Sequence, residues 1–301
     1  MGIWNSAVGL LLVTGAFLSV SLPLGKMATA AGVSAPAWSF VISFGAGILL
    51  LPALLASSKA RLPNAHKLRY FFITAAISYA LPNLILFLVI PRLGSGYSGI
   101  MFTLSPVITL AMSIALRLRR PNALGITGIG VGFAGAMMVA LSRGEAGRPA
   151  ELVWVAVALV IPVLLASGNI YRTLDWPPES SPLELAVGSH VASALMLLTG
   201  MVMIGDGIPV ALLGEIPLAV IAQGTAAAVM FVFFFRLQTV GGPVYLSQIG
   251  YVAAAIGLVI GTAVFGERYP TVTWLGAAII TIGVLLTTLA QQAEERRQAA
   301  G

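Results

Sequence analysis

Long apolar stretches separated by short turns fill almost the whole chain, and ten of them have the length of a membrane span: 4–24, 37–57, 68–90, 97–118, 123–141, 152–171, 183–204, 216–237, 244–265 and 272–290. About 20 apolar residues in helical form match the hydrocarbon thickness of a bilayer. The stretches far exceed a barrel strand and do not alternate between apolar and polar, so the pattern predicts helices. Gly, Pro and Asn punctuate the turns between them.

The spans fall into two similar sets of five. Leu93-Gly94-Ser95-Gly96-Tyr97 lies between the third and fourth, and Val240-Gly241-Gly242-Pro243-Val244 between the eighth and ninth. These two segments are offset by 147 positions, and Ile126-Thr127-Gly128 with Gly135 matches Trp274-Leu275-Gly276 with Gly283 at an offset of 148. Lys26, after the first span, pairs in the same way with Arg172, after the sixth. Five is odd, so the second set must enter the membrane inverted. Two inverted halves form a transporter architecture whose substrate site lies near the midplane. The expected fold is an all-α integral membrane protein with ten transmembrane helices, arranged as two inverted five-helix repeats around a central cavity. Residues 1–143 form the first repeat, 150–291 the second, and 292–301 a cytoplasmic tail.

Composition agrees. Of 301 residues, 58% are hydrophobic and 9% charged, with a mean hydropathy of +0.99. A soluble domain needs far more charge at its surface. Lysine and arginine set the orientation. With the N-terminus inside, inner segments carry Lys59, Arg61, Lys67, Arg69, Arg117, Arg119, Arg120, Arg172, Arg236, Arg296 and Arg297, against Lys26, Arg92, Arg143, Arg148 and Arg268 outside. Both termini are expected in the cytoplasm. The first span lacks a basic leader and a clear cleavage site, and reads as retained. The net charge of +6 does not imply nucleic acid.

The order of elements resembles the drug/metabolite transporter superfamily, in its two-repeat EamA branch. The most specific stretch is Phe265-Gly266-Glu267-Arg268-Tyr269-Pro270-Thr271-Val272-Thr273-Trp274-Leu275-Gly276-Ala277, similar to that family's Gly-Glu turn leading into a small-residue helix. Lys26 after the first span also fits. The first repeat departs from the pattern, with Leu118-Arg119-Arg120-Pro121 where the Gly-Glu would stand. Any role for the acidic residue therefore transfers only to Glu267. The resemblance covers about residues 9–289. It implies residence in the cytoplasmic membrane and export of small metabolites, as in bacterial amino-acid and metabolite exporters.

Glycines limit which helix faces can line a path. Gly128, Gly132 and Gly135 on span five, Gly257 and Gly261 on span nine, and Gly276 and Gly283 on span ten let backbones approach closely. Spans five and ten are expected to brace the bundle. Pro82, Pro106 and Pro162 interrupt spans three, four and six, each removing a backbone donor.

Polar side chains at mid-membrane depth need partners or water. The expected substrate path is Tyr79, Asn83, Tyr97, Met101, Asn169, Gln248 and Tyr251. Tyr97 and Tyr245, near helix ends, fit an interfacial belt equally well. A cavity with tyrosine edges, a thioether and amides suits small amphipathic solutes. Arg172 and Lys26 could contact anionic groups, but their positions read first as snorkelling toward headgroups. His190, about two turns into span seven, reads as a packed, hydrogen-bonded residue.

No Asp or Glu stands near the middle of a span, and the chain has no cysteine. No cofactor and no metal are expected, and no phosphate-binding GxxxxGK[ST] is present for ATP. The function expected is secondary transport of a small-molecule substrate by alternating access in a lipid membrane. The alternative is an intramembrane lipid-modifying enzyme. It would need a nucleophile, base and metal constellation, and serines such as Ser105 and Ser247 lack a base partner.

Overall fold

A computed structural model of the protein describes residues 3–57, 62–118, 122–142, 152–265 and 270–300; side chains at 93–101, 139–142, 257, 258, 260–262, 264, 265, 291, 292 and 294–300 lie outside that description. Helices account for the secondary structure: α1 Ala7–Ala30, α2 Ala35–Leu55, α3 Ala65–Thr74, a π-helical stretch Ala75–Ala80, α4 Leu81–Ala115, α5 Ala123–Ser142, α6 Leu152–Leu174, α7 Pro182–Met203, a short α8 Val210–Glu215, α9 Pro217–Ser247, α10 Ile249–Phe265 and α11 Thr271–Ala300. No strand occurs among the described residues. Seven helical segments there are long and apolar enough to cross a bilayer, with shorter apolar helices at Phe102–Ala115 and Ala123–Met138. Large apolar side chains such as Leu49, Leu159, Val163, Leu195 and Leu285 point outward, as a surface solvated by lipid requires.

Local chemistry explains the irregular points. Asn64 and Ser181 cap α3 and α7, accepting from the backbone N–H of Lys67 (2.9 Å) and Glu184 (3.2 Å). Pro82 cannot donate, and its ring would strike the carbonyl of Ser78 in a regular helix. The chain responds by widening before it: Leu81 N–H bonds back to Ala76 O. This π turn carries Ser78 and Tyr79. Gly242 sits at φ 72°, ψ −178°, inside α9. Only glycine adopts that conformation readily, so it bends α9 where a turn between spans eight and nine is expected.

α4 is also more than one straight rod. Ser78, just before it, hydrogen-bonds Arg172, and Thr109, near its end, hydrogen-bonds Asn169. A straight helix would hold those two positions roughly 45 Å apart, yet both reach the same turn of α6. The chain therefore doubles back between them, in agreement with separate third and fourth spans.

The neighbours of each helix follow a pattern. α5 packs along α11, α2 along α7, α4 along α6, and α1 along α9 and α10. Small residues make the α5–α11 seam. A Cβ on Gly135 would lie 2.7 Å from Gly276 O and Ile280 N, and one on Gly128 would lie 2.8 Å from Thr287 N. The two helices thus meet backbone to backbone, where spans five and ten are expected to brace the bundle.

One end of the bundle gathers several segments. Arg236 of α9 donates to Trp4 O (3.1 Å) and Asn5 Oδ1 (2.8 Å). Two positions on, Gln238 donates to Thr173 Oγ1 of α6 (2.7 Å). Asp175, just past α6, meets His66 and Arg69 of α3. The N-terminal segment, the start of α3, the end of α6 and the α9 bend therefore share one end.

Candidate functional site

Arg172 organises the polar centre. It stands on the last turn of α6 and is 1% exposed. Nη1 donates to Ser78 Oγ, Nη2 to Asn169 Oδ1 (2.6 Å) and Nε to Gln238 Oε1 (3.4 Å). Its guanidinium lies 4.8 Å from the centre of the Phe234 ring. Asn169 also donates to Thr109 (3.4 Å), and Gln238 to Asn169 O (3.2 Å). The cluster therefore joins the π turn, α4, α6 and α9. Gly168 makes room for it, because a Cβ there would collide with Ser78 Oγ and approach Arg172 Nη1 to 3.2 Å. The snorkelling position expected for Arg172 is thus corrected: the side chain turns inward, held by hydrogen bonds to the π turn, to α9 and to Asn169 of its own helix. For Lys26 the chain stays on the exposed side, as snorkelling requires.

An aromatic wall continues from this centre. Phe234 touches Phe231 edge-on, with centroids 5.6 Å apart. Phe231 meets both Tyr79 (4.9 Å) and His190 (4.0 Å), and those two rings stack at 4.3 Å. His190 is fully buried, as its reading as a packed residue requires, but neither ring nitrogen has a hydrogen-bond partner among the described residues. The Tyr79 hydroxyl is likewise buried without one.

The expected path residues divide. Tyr79 and Asn169 belong to the Arg172 centre, and Asn83 is half-buried one turn beyond Tyr79. Gln248 and Tyr251 face the α5–α11 seam instead. Gln248 Oε1 accepts from Thr287 (2.6 Å), and Tyr251 donates to Ile129 O (3.3 Å) while its ring fills the space above Gly132. The side chains of Tyr97 and Met101 lie outside the described residues, as do the Gly266–Tyr269 turn, Arg119-Arg120-Pro121 and the Gly257–Gly261 pair. Tyr245, weighed for the interfacial belt, is buried with its hydroxyl 2.8 Å from Thr288 Oγ1.

Sequence reading passes over Ser78, Gln238, Phe231 and Phe234. Ser78 lies in a run of small residues, Gln238 one position past span eight, and the phenylalanines in Phe-rich 231–235, where nothing separates a lining ring from a lipid-facing one. Pro82 carries the one usable signal, since its steric demand widens the turn bearing Ser78.

At the gathered end, charges pair across the halves. Lys67 Nζ lies 2.6 Å from Glu184 Oε1, with both side chains largely buried. Asp175 receives hydrogen bonds from His66 (3.0 Å), Arg69 (2.9 Å) and Tyr171 (2.6 Å). Burial alone would raise the Asp175 pKa, but these donors and the Arg69 charge outweigh it and hold the carboxyl below its ordinary 3.8. A carboxylate with a lowered folded-state pKa contributes stability above its unfolded value and loses it as pH falls through the folded one. We therefore expect Asp175→Asn to destabilise the fold at pH 5 to 8 by about 1 kcal/mol or less after solvent screening, read as a lower unfolding temperature. The gap to the wild type should close below about pH 4. A gap that persists unchanged at pH 2 would rule out the carboxylate as its source.

Comparisons with known proteins agree with this fold. Residues 5–141 match the EamA-like transporter family. The chain is 24% identical over 254 residues to the uncharacterized inner membrane transporter YedA of Escherichia coli K12, covering 81% of this chain and 78% of that protein. The same protein from E. coli O157:H7 matches equally. A protein of known crystal structure shares the fold with a TM-score of 0.75 at 19% identity, over 95% of this chain and 99% of its own. The helical bundle, the relatives and the match of residues 5–141 all agree with the resemblance to the EamA-like transporter family.

Proposed function

We propose that this protein is a secondary transporter that exports small metabolites, amino acids or related amphipathic solutes, by alternating access of two inverted halves. The observation that carries the reading is the symmetry of the packing. Exchanging the halves maps the α5–α11 and α2–α7 contacts onto themselves. The same exchange turns α4 on α6 into α9 and α10 on α1, and both contacts occur. A polar centre built from both halves, with Ser78 and Thr109 from one and Asn169, Arg172 and Gln238 from the other, sits where such halves move against each other. The cytoplasmic membrane is supported by the E. coli relative's inner-membrane description. The cytoplasmic placement of the termini is supported by Lys67, Arg69 and Arg236 at the end the N-terminal segment shares, and by Arg296 and Arg297 near the C-terminus.

The path is proposed to run past Tyr79, Asn83, Tyr97, Met101, Asn169, Gln248 and Tyr251. Full-length protein in liposomes, loaded with a panel of labelled solutes, tests the reading. Solute release without lipid turnover is expected; hydrolysis or modification of lipid without release would establish the enzyme alternative. In the same assay Asn83→Ala and Gln248→Leu should change rate or selectivity while folded yield stays near wild type, since one side-chain hydrogen bond in a membrane is worth about 0.6–2 kcal/mol. Unchanged rates and selectivity in both would mark them as packing residues. Intact cells add a topology test: a cysteine at position 62, unique in this chain, should resist a membrane-impermeant thiol reagent.

A further inference from the structure

We propose that Arg172 is the recognition point for a carboxylate on the transported solute, and that the Phe234–Phe231 wall with Tyr79 and His190 receives the rest of that solute. The assignment rests on the chain being a carrier.

The charge of Arg172 is the first observation. It is 1% exposed, and no carboxylate pairs with it among the described residues. Its partners Ser78, Asn169 and Gln238 are all neutral. An uncompensated charge buried in protein is expensive, and this chain pairs charges elsewhere: Lys67, less deeply buried at 8% exposure, has Glu184 at 2.6 Å. The second observation is donor capacity. A guanidinium has five N–H groups and no acceptor. Three hydrogen bonds use one N–H on each nitrogen. Among the described residues, one donor remains on each of the two terminal nitrogens, the number a bidentate carboxylate takes.

The third observation lies along the wall. Phe234 sits beneath the guanidinium, Phe231 beside Phe234, and His190 and Tyr79 against Phe231. The far members carry buried polar atoms without partners among the described residues, both His190 ring nitrogens and the Tyr79 hydroxyl. Buried polar groups are ordinarily satisfied. A bound solute would supply both missing sets: an anion for Arg172, and a hydrogen-bonding group for Tyr79 or His190, joined by an apolar body on the phenylalanines. A quaternary ammonium or other cation finds a like charge at this centre and is disfavoured. The neutral partners also serve the proposal, because Ser78, Asn169 and Gln238 hold the guanidinium in place without neutralising it.

Purified full-length protein in detergent tests this through ligand-dependent shifts in unfolding temperature. The probes are L-phenylalanine, L-leucine, phenylacetate and hexanoate, each beside its own carboxamide. At least one carboxylate should raise the unfolding temperature while its amide does not. In Arg172→Met its apparent affinity should fall about tenfold or more, as loss of a charged hydrogen-bonding partner implies, with Arg172→Lys retaining an intermediate affinity. If Arg172→Met does not fold, Arg172→Lys and the carboxylate–amide comparison in the wild type still decide. Equal shifts from acids and amides, or none from any probe, would overturn the assignment, as would a carboxylate response that survives in Arg172→Met. Phosphatidylglycerol in the micelles, giving the only Arg172-dependent shift, would assign the site to a lipid headgroup and overturn it too. Liposome flux keeps the two readings apart. Transport of neutral or cationic solutes that Arg172→Met leaves intact removes the carboxylate site but keeps the carrier; absence of flux for every solute tested removes the carrier.

Discussion

Gly283→Leu is expected to abolish the folded protein, whereas Gly130→Ala is expected to leave it as stable as before or slightly more so. A Cβ on Gly283 would collide with the backbone of Gly132 and lie 2.7 Å from Gly128 O, and backbone cannot rotate aside. Gly128 and Gly135 are as confined by α11 from the opposite side. A side chain at any of the three must push α5 and α11 apart along their length, and each helix then loses van der Waals contact with the other. In a membrane that contact is a principal source of helix association, because lipid tails are as apolar as leucine. Overpacking in a core usually costs about 1–3 kcal/mol; here the obstacle is backbone, so the loss should lie at or beyond the top of that range. Gly130 is one residue type on the same helix with nothing within 4 Å of its would-be Cβ. Alanine there gains about 0.5–1 kcal/mol from helix entropy alone. Yield of monodisperse protein and thermal unfolding in detergent read both outcomes. Wild-type yield and unfolding temperature in Gly283→Leu would mean that α5 and α11 do not meet as described.

The contrast between those glycines shows what a sequence of this kind reveals. Hydropathy locates helices because the bilayer imposes one length and one solvent on every span. The bracing seam is legible because small residues recur at helical spacing on spans five and ten and little else produces that pattern. The bend at Gly242 is legible for a similar reason, since its backbone conformation needs glycine. The polar centre is not. Arg172 at a helix end looks like any snorkelling arginine until Ser78, Asn169 and Gln238 are seen around it, and the first and last of these lie about 94 and 66 positions away. Asn169, three residues before Arg172 on the same helix, is identified as polar and deep, but its partner Thr109 is one hydroxyl among many. Sequence pattern records what each residue must avoid, which in lipid is an unpaired polar group; it does not record which distant residue answers it. For the same reason Gln248 and Tyr251 read as path residues although their partners in this structure, Thr287 and Ile129 O, lie on the seam.

Glu184→Gln is expected to destabilise the protein more than any single change at the gathered end, and Lys67→Met combined with Glu184→Met to restore much of the loss. Lys67 is N3 of α3, placed there by its Asn64 cap, and Glu184 is N3 of α7, placed by Ser181. The sequence Ser181-Pro182-Leu183-Glu184 has the spacing of a capping box, in which the glutamate would turn back to its own helix. Instead its carboxylate reaches Lys67 at 2.6 Å, with the two side chains 10% and 6% exposed. Removing one charge of a buried pair strands the other, at a cost of about 3–5 kcal/mol. Replacing both with apolar groups of similar volume removes the attraction and the desolvation penalty together, so it is far less harmful. Glutamine keeps the size and hydrogen-bonding capacity of Glu184, which makes the charge the tested quantity. Unfolding temperature across the wild type, Lys67→Met, Glu184→Met and the double variant gives the coupling, with Glu184→Gln isolating the charge. Additive losses would show that the pair is solvated and contributes little, as an exposed salt bridge does. A large coupling would fix a strong bond between the two halves at one end of the bundle. In the proposed alternating-access cycle that bond breaks each time, so a cysteine pair at 67 and 184, joined by a reducible bifunctional cross-linker in a chain with no other thiol, should stop solute flux and recover it on reduction.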